Sequence, residues 1–208
     1  MKKHILLFSL LLLGAGAVYA QQEKASAAPS SLAIGAPLPV AGQTLKGTDG
    51  KEYTLAGQKT SKGLIVMFSC NTCPFVIKSQ QRTQEVIALA KEKGIGMVII
   101  NANEAQRDDA DSYEAMQRYA DAQQYTVPYV TDEGTVVNAF GATRTPEVFL
   151  FDGKTSKLVY KGAMEDNPAN PSASEQLYLK DAVSNMLAGK KISPDATRSV
   201  GCSIKRKG

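Results

Sequence analysis

Cys70-Asn71-Thr72-Cys73-Pro74 is the stretch on which the interpretation of the whole chain depends. It follows an apolar run, Leu64 to Phe68, that predicts a buried strand, and it precedes a segment that predicts a helix. The first turn of a helix has unpaired backbone N–H groups and the positive end of the helix dipole, and both stabilise a thiolate. We therefore expect Cys70, nearer to solvent, to be the nucleophile with a pKa below that of a free thiol. Cys73 is expected to close the disulfide.

The other residues of this motif are expected to tune the redox pair. Asn71 and Thr72 can direct N–H or hydroxyl groups at the Cys70 sulfur, which would stabilise its reduced, ionised form. Pro74 falls at an early helical position, where a missing N–H costs no hydrogen bond. The motif leaves open whether electrons flow toward the substrate or away from it.

The first twenty residues have the pattern of a secretory signal peptide. Lys2 and Lys3 precede an apolar segment, Ile5 to Leu13, and small residues precede Gln21, which predicts cleavage after Ala20. The apolar segment is short for a bilayer span, so no stable membrane anchor is expected after cleavage. The mature chain is therefore predicted to be periplasmic or secreted, where disulfide chemistry is possible.

Charge and composition argue against several kinds of site. The formal net charge of +4 becomes +2 when Lys2 and Lys3 are subtracted (4 − 2), which argues against a nucleic-acid surface. The one histidine, His4, lies within the predicted signal peptide. The mature chain would then lack the Cys-His pair of nucleophilic catalysis and the usual Cys and His metal sites. We expect no metal and no cofactor.

The mature chain divides into a linker, one domain and a tail. Residues 21–39 are rich in Ala, Ser and Pro and are interpreted as a flexible linker. Residues 40–190 alternate strand and helix patterns, and Asp49-Gly50 predicts a hairpin turn ahead of the first apolar strand. The pattern predicts an α/β domain with a mixed sheet, a mostly parallel centre and antiparallel edges. Residues 191–208 form a tail that contains Cys202.

Periodicity predicts the remaining elements of the domain. Helices are expected over Val76 to Ala90, Asp108 to Gln124, Val136 to Phe140 and Leu179 to Leu187, and strands over Met97 to Ile100, Tyr129 to Val130, Glu147 to Phe151 and Lys157 to Tyr160. Ser172 and Glu175 have the spacing of a capping box for the last helix.

Three segments carry a family resemblance. They are Cys70 to Val76, the run Thr145-Pro146-Glu147-Val148-Phe149-Leu150-Phe151-Asp152, and the ending Ser199-Val200-Gly201-Cys202-Ser203-Ile204-Lys205. With them the mature chain resembles the peroxiredoxin-like (redoxin, AhpC/TSA-type) branch of the thioredoxin superfamily, in its form with a Cys-x-x-Cys motif. The resemblance implies a thioredoxin-like fold with helices on both faces of the sheet and a redoxin-type insertion. It also implies that Pro146 is a cis-proline beside the cysteines, where the Thr145 backbone would bind extended substrate.

The resemblance is compatible with three functions. The first is a thiol-disulfide oxidoreductase whose partners are protein thiols and disulfides or a thiol electron donor. The second is a thiol-dependent, peroxidase-like antioxidant protein. If Cys73 holds the peroxidatic position, the family's Pro and its Thr or Ser are replaced by Val66 and Cys70, and Arg144 is the nearest remaining donor, so peroxide turnover should be slow. The third is a copper-binding or chaperone protein, which the absence of a downstream His disfavours.

Several interpretations of Cys202 are open. As a third redox thiol, it would form a mixed disulfide with Cys70 or relay oxidation from it, with the tail beyond Gly189 folded back over the site. Alternatively, it is a buried free cysteine packed with Val200 and Ile204, or a thiol used between molecules.

Overall fold

The computed structural model describes residues 30–207, so the predicted signal peptide lies outside the described residues. The strands are β1 (Leu45–Lys46), β2 (Glu52–Tyr53), β3 (Gly63–Ser69), β4 (Gly96–Asn101), β5 (Tyr129–Thr131), β6 (Arg144–Thr145), β7 (Glu147–Asp152), β8 (Leu158–Gly162) and β9 (Cys202–Ser203). The α-helices are α1 (Leu55–Gln58), α2 (Pro74–Lys78), α3 (Gln80–Lys93), α4 (Tyr113–Ala122), α5 (Thr135–Phe140) and α6 (Tyr178–Leu187). Short 3-10 helices cover Glu104–Gln106 and Pro171–Ala173.

The central sheet has five strands in the order β5-β4-β3-β7-β8. β3 pairs in parallel with β4, and β4 pairs in parallel with β5. β7 is antiparallel to β3, and β8 is antiparallel to β7. This topology confirms the predicted thioredoxin-like α/β fold with a mixed sheet. The prediction of a parallel centre with antiparallel edges was wrong, because the parallel pairs lie on one side of β3 and the antiparallel pairs on the other. Between β4 and β7 the chain forms α4, β5 and α5, which include the extra strand and helix that the resemblance implied.

The sheet is covered by helices on both faces because the middle residues of its central strands are apolar and buried. All residues of β3 are buried, and successive side chains point to opposite faces. Ile65 and Met67 belong to one apolar cluster, which includes residues of α3, α4 and α6. Val66 and Phe68 belong to the other, which includes residues of α1 and α5. Burial on both faces fixes the carboxyl end of β3, and with it the position of Cys70.

The amino-terminal part of the domain agrees with one prediction and departs from another. β1 and β2 form the predicted hairpin, with Leu45 opposite Tyr53. Residues 30–39, however, pack against the domain, although they were predicted to belong to a flexible linker. Leu32 donates its backbone N–H to the Phe140 carbonyl at 2.9 Å, and Leu38 donates to the Ser156 carbonyl at 3.0 Å. Apolar contacts of Leu32 and Leu38 with the core outweigh the low-complexity composition of this segment.

Three helical predictions need correction. The helix after the cysteines is divided in two at Ser79, which separates α2 from α3. The helix predicted over residues 108–124 is shorter, because Ser112 caps α4 by accepting a hydrogen bond from the Ala115 N–H at 3.3 Å. The predicted capping box was wrong, since α6 begins at Tyr178 and Ser172 lies in the preceding 3-10 helix. No helix within residues 30–207 is long and apolar enough to cross a membrane.

Candidate active site

The two cysteines of the motif lie at the junction of β3 and α2, as predicted, but both are buried. Cys70 follows the last residue of β3 and is 1% exposed, and Cys73 precedes α2 and is 4% exposed. The expectation that Cys70 lies nearer to solvent is therefore wrong for this form of the protein. Cys70 and Cys73 pack together with Val76, Phe75, Tyr119 and Cys202.

Burial raises the pKa of the Cys70 thiol above its ordinary value, contrary to the prediction from the helix terminus. Loss of hydration is the largest cause, and the nearby negative charge of Asp111 also raises this pKa. The Thr145 hydroxyl and the backbone N–H groups of Cys73 and Thr72 act in the opposite direction. The helix that follows has only five residues, so its dipole is short, and desolvation has the larger effect.

A disulfide joins Cys73 to Cys202 across 129 residues of sequence, with their Cα atoms 6.0 Å apart. Cys70 is the free cysteine among the three. The tail does fold back over the site, but the partner of Cys202 is Cys73 and not Cys70. The reason is the strand register, because β9 pairs antiparallel with β6 and places Cys202 opposite Thr145.

Thr145 lies between the two sulfur atoms of the motif. The Thr145–Pro146 peptide bond is cis, as the resemblance implied, and both residues are buried. The Cys70 Sγ lies 3.3 Å from the Thr145 Oγ1, and the Cys73 Sγ lies 3.3 Å from the Thr145 carbonyl oxygen. The buried Glu147 carboxylate accepts hydrogen bonds from the backbone N–H groups of Thr143, at 2.9 Å, and Arg144, at 3.3 Å. Glu147, which follows Pro146, thus holds the residues that precede this proline.

The three remaining residues of the motif have different surroundings. Asn71 is buried, but its side chain donates to the Ala110 carbonyl at 2.9 Å and accepts from the Tyr129 hydroxyl at 2.8 Å, so it is engaged away from Cys70. Thr72 and Pro74 are exposed. Thr72 contributes its backbone N–H to Cys70, as noted above. The groups that lower the Cys70 pKa are therefore backbone N–H groups and the Thr145 hydroxyl, and not the Asn71 side chain.

A buried carboxylate that was not predicted lies beside this loop. Asp111 is fully buried and accepts hydrogen bonds from the Asn71 backbone N–H at 2.8 Å, from Asn101 Nδ2 at 2.7 Å and from Asn103 Nδ2 at 3.0 Å. The Tyr129 hydroxyl accepts a further hydrogen bond from Asn101 at 2.9 Å. A signal was present in the sequence, because Asn101 ends β4 and Asn103 follows it, at the same edge of the sheet as Cys70. We call Asp111, Asn71, Asn101, Asn103 and Tyr129 the Asp111 network.

Neither Val66 nor Arg144 supplies a hydrogen-bond donor to the cysteine pair. The Val66 side chain lies in the apolar core. Arg144 directs its guanidinium at the tail, with the Ser203 Oγ at 3.0 Å and the Gly201 carbonyl at 3.4 Å. In the part of the chain that the structure describes, no group of three or more His, Cys, Asp or Glu side chains could hold a metal ion.

This geometry defines the class of the protein, which is a thioredoxin-like protein with a cysteine pair beside a cis-proline. The Redoxin family model matches residues 31–177, and the chain belongs to this family. The assignment agrees with the resemblance found in the sequence motifs.

Solved structures support the same assignment. A hypothetical protein from Sinorhizobium meliloti 1021 is 31% identical, with a TM-score of 0.76 over 86% of this chain and 97% of that one. An uncharacterised conserved protein from Geobacillus kaustophilus is 30% identical, with a TM-score of 0.75 over 84% and 93%. The thioredoxin domain of a thiol-disulfide oxidoreductase from Bacteroides vulgatus shares the fold, at 20% identity and a TM-score of 0.53 over 64% and 90%. A search of curated proteins found no match.

Proposed function

We propose that the protein is an exported thiol-disulfide oxidoreductase that exchanges disulfides with protein or small-thiol substrates. Cys70 attacks, Cys73 resolves, and Thr145 with Pro146 forms the edge that binds the substrate backbone. Membership of the Redoxin family and the shared fold of a named thiol-disulfide oxidoreductase support thioredoxin-like oxidoreductase chemistry. The signal-peptide pattern before Gln21 supports export, as does a disulfide outside the Cys70–Cys73 pair.

The observation that carries this proposal is the convergence of both motif sulfurs on Thr145. Each lies 3.3 Å from an oxygen of that residue, one from the hydroxyl and one from the carbonyl. A substrate strand paired with Thr145 would therefore place its own cysteine beside the pair. Cys202 occupies this position in the described form, where it is bonded to Cys73 and not to Cys70, and this supports the proposed placement.

The exchange follows from the thiols of the reduced pair. Cys70 loses its proton and attacks one sulfur of the substrate disulfide, and the other substrate sulfur leaves as a thiolate that takes up a proton. Cys73 then attacks the Cys70 sulfur of the mixed disulfide, which forms the Cys70–Cys73 disulfide and releases the second substrate thiol. An external thiol returns the pair to its reduced form.

The direct test is the reduction of insulin by dithiothreitol, catalysed by the full chain. We expect Cys70→Ser to abolish the acceleration, because the attacking thiol is lost, while the exposed Ser61→Ala control keeps the wild-type rate. Full activity in Cys70→Ser would refute the assignment of the nucleophile. Fast thiol-dependent consumption of hydrogen peroxide by the wild type, without insulin reduction, would instead favour the peroxidase function.

Substrates can be captured with Cys73→Ser, which leaves Cys70 without a resolving thiol. Mixed disulfides through Cys70 should then accumulate and can be identified by mass spectrometry after non-reducing electrophoresis. Cys70→Ser/Cys73→Ser is the matched control and should capture nothing at this site. Capture of small thiols alone would contradict protein substrates.

A further inference from the structure

The chain's own tail already lies where a protein substrate would bind. β9 pairs antiparallel with β6, with Cys202 opposite Thr145 and Ser203 opposite Arg144. The Ile204 N–H donates to the Thr143 carbonyl at 3.2 Å and continues this pairing. The tail is thus a strand added to an exposed backbone edge, which is a common mode of peptide recognition. Its cysteine is bonded to one sulfur of the redox pair.

The backbone edge of β6, which we call the Thr145 edge, restricts which residue can precede the cysteine of a bound strand. A Cβ added at Gly201 would lie closer to the Thr145 carbonyl oxygen than the 3.0 Å below which real Cβ contacts are essentially never found, and it would lie 2.8 Å from the Thr145 carbonyl carbon. Both atoms belong to the backbone of the cysteine site and cannot rotate away. Only glycine fits opposite this part of Thr145 without displacing the strand.

The edge also selects the residue two positions after the cysteine. Ile204 is 9% exposed and belongs to the apolar cluster that contains Phe140 and Ala142. Ser203, which lies between Cys202 and Ile204, is exposed, because successive side chains of a strand point to opposite faces. A polar residue in place of Ile204 would be desolvated in this apolar cluster, whereas the position of Ser203 tolerates most side chains.

We propose that the Thr145 edge accepts extended protein segments of the pattern Gly-Cys-x-aliphatic, and that Gly201–Ile204 is a tethered copy of such a segment. The tethered copy differs from a substrate in one respect, because its cysteine is bonded to the resolving Cys73 and not to the attacking Cys70. The tail occupies the edge while Cys202 is bonded to Cys73 and leaves it after thiol exchange. This specificity rests on the proposed function, and it names the substrate class of the same site.

Release of the tail is an exchange within the chain. The Cys70 thiolate attacks the Cys73 Sγ, the Cys70–Cys73 bond forms, and the Cys73–Cys202 bond breaks. The Cys202 sulfur leaves as a thiolate and takes up a proton, which balances the one lost by Cys70. No external oxidant or reductant is needed. The Asp111 network also contacts the tail, because the Lys205 N–H donates to the Asn103 Oδ1 at 2.9 Å.

The substrate pattern can be tested with short peptides as probes. The peptide Ser-Val-Gly-Cys-Ser-Ile-Lys, as its mixed disulfide with nitrothiobenzoate, is offered to reduced full-length Cys202→Ser, and release of the chromophore is followed. Two control peptides carry Ala in place of Gly, or Ser in place of Ile. We expect each control peptide to react at least about tenfold more slowly, a factor that corresponds to about 1.4 kcal/mol, because the peptide meets a backbone clash or loses an apolar contact.

Equal rates for the three peptides would overturn the substrate pattern and leave thiol exchange itself intact. Failure of every peptide to react, together with failure to reduce insulin, would overturn the proposed function as well.

The tethered strand can be tested in the full chain by mapping disulfides in oxidised protein. We expect Gly201→Ala to lower the ratio of Cys73–Cys202 to Cys70–Cys73 disulfide about tenfold, because the added methyl group displaces the strand. Gly42→Ala is the matched control and should keep the wild-type ratio, since nothing lies within 4 Å of a Cβ added there. An unchanged ratio in Gly201→Ala would overturn the proposed fit.

The release step has its own readout. Wild-type protein that holds the Cys73–Cys202 disulfide is brought to alkaline pH and alkylated, and the labelled cysteine is identified by mass spectrometry. Label should move from Cys70 to Cys202 as the exchange proceeds. Labelling of Cys70 alone at every time would overturn tail release by Cys70.

Discussion

The two sides of the cysteine pair are held in different ways. Beneath Cys70, the Asp111 carboxylate is fully buried and accepts three hydrogen bonds of 2.7 to 3.0 Å. Beside Cys73, the tail is held by a two-residue strand pair, a disulfide, the apolar contacts of Ile204 and a hydrogen bond from Lys205 to Asn103. The first arrangement is shielded from solvent. The second can be taken apart by thiol exchange and replaced by a substrate.

We infer from this difference that the two sides of the site have different roles. We therefore expect the Asp111 network to hold the loop before Cys73 in either redox state, whereas the tail should contribute most of its stability while its disulfide is intact. Variants on the two sides should therefore differ in how their effects depend on the redox state of the buffer.

The largest effect is expected from Asp111→Ala. Three buried donors, on Asn71, Asn101 and Asn103, would lose their acceptor, and each unsatisfied donor costs about 1–3 kcal/mol before relaxation. We expect the free energy of unfolding in urea to fall by about 3–5 kcal/mol, in oxidising and reducing buffer alike. The exposed Asp109→Ala control should change it by less than about 0.5 kcal/mol.

Asp111→Asn separates charge from hydrogen bonding. It keeps one acceptor oxygen and removes the negative charge that raises the Cys70 pKa, so that pKa should fall. A loss of stability in Asp111→Ala no greater than that in the Asp109→Ala control would contradict the role of the network.

A smaller effect, dependent on redox state, is expected from Cys202→Ser. The Cys73–Cys202 disulfide restricts the unfolded chain over a separation of 129 residues, so its loss should lower the free energy of unfolding by about 2–4 kcal/mol. In dithiothreitol the wild type lacks the disulfide too, and the two proteins should differ by less than about 1 kcal/mol. Equal stability of the two proteins in oxidising buffer would show that the tail disulfide contributes nothing.

The smallest effect concerns the reactivity of Cys70, which can be measured by alkylation of oxidised protein with iodoacetamide. Because burial raises the Cys70 pKa, the thiol is protonated at neutral pH, and the rate should rise with pH beyond the usual midpoint of about 8.5. Thr145→Val removes the hydroxyl that lowers this pKa, which should slow alkylation at neutral pH about fivefold. Thr44→Val, at an exposed threonine, is the control. A midpoint below 8.5 in the wild type would restore the original expectation of an activated thiol.

Much of the fold was predictable because its signals are local. The apolar run ending at Phe68 and the turn at Asp49-Gly50 depend on short-range patterns, and both were confirmed. The capping box at Ser172 was wrong because a matching spacing does not ensure a helix start when a 3-10 turn competes. The segment 30–39 was misjudged because its few apolar residues find partners far away in sequence.

The same division applies to the site: features that depend on local patterns were predictable, and features that depend on contacts between distant segments were not. Cys70, Cys73 and Thr145 were identified from motifs, and the structure places all three in contact. Asp111 was missed because its importance lies in burial and in three donors from other segments. The pKa of Cys70 was predicted in the wrong direction because local helix electrostatics could be estimated from the sequence, whereas desolvation could not.

The sequence by itself determined the chemistry of this protein: two thiols at the end of an apolar strand, a downstream Thr-Pro, and a third cysteine in the tail. Only the tertiary structure decided which sulfurs meet. Cys202 is paired with Cys73 because β9 lies on the edge of β6 in a register that no local pattern specifies. Reactivity depends on the residues that a fold brings together and on the water that it excludes, and both are properties of the packed chain.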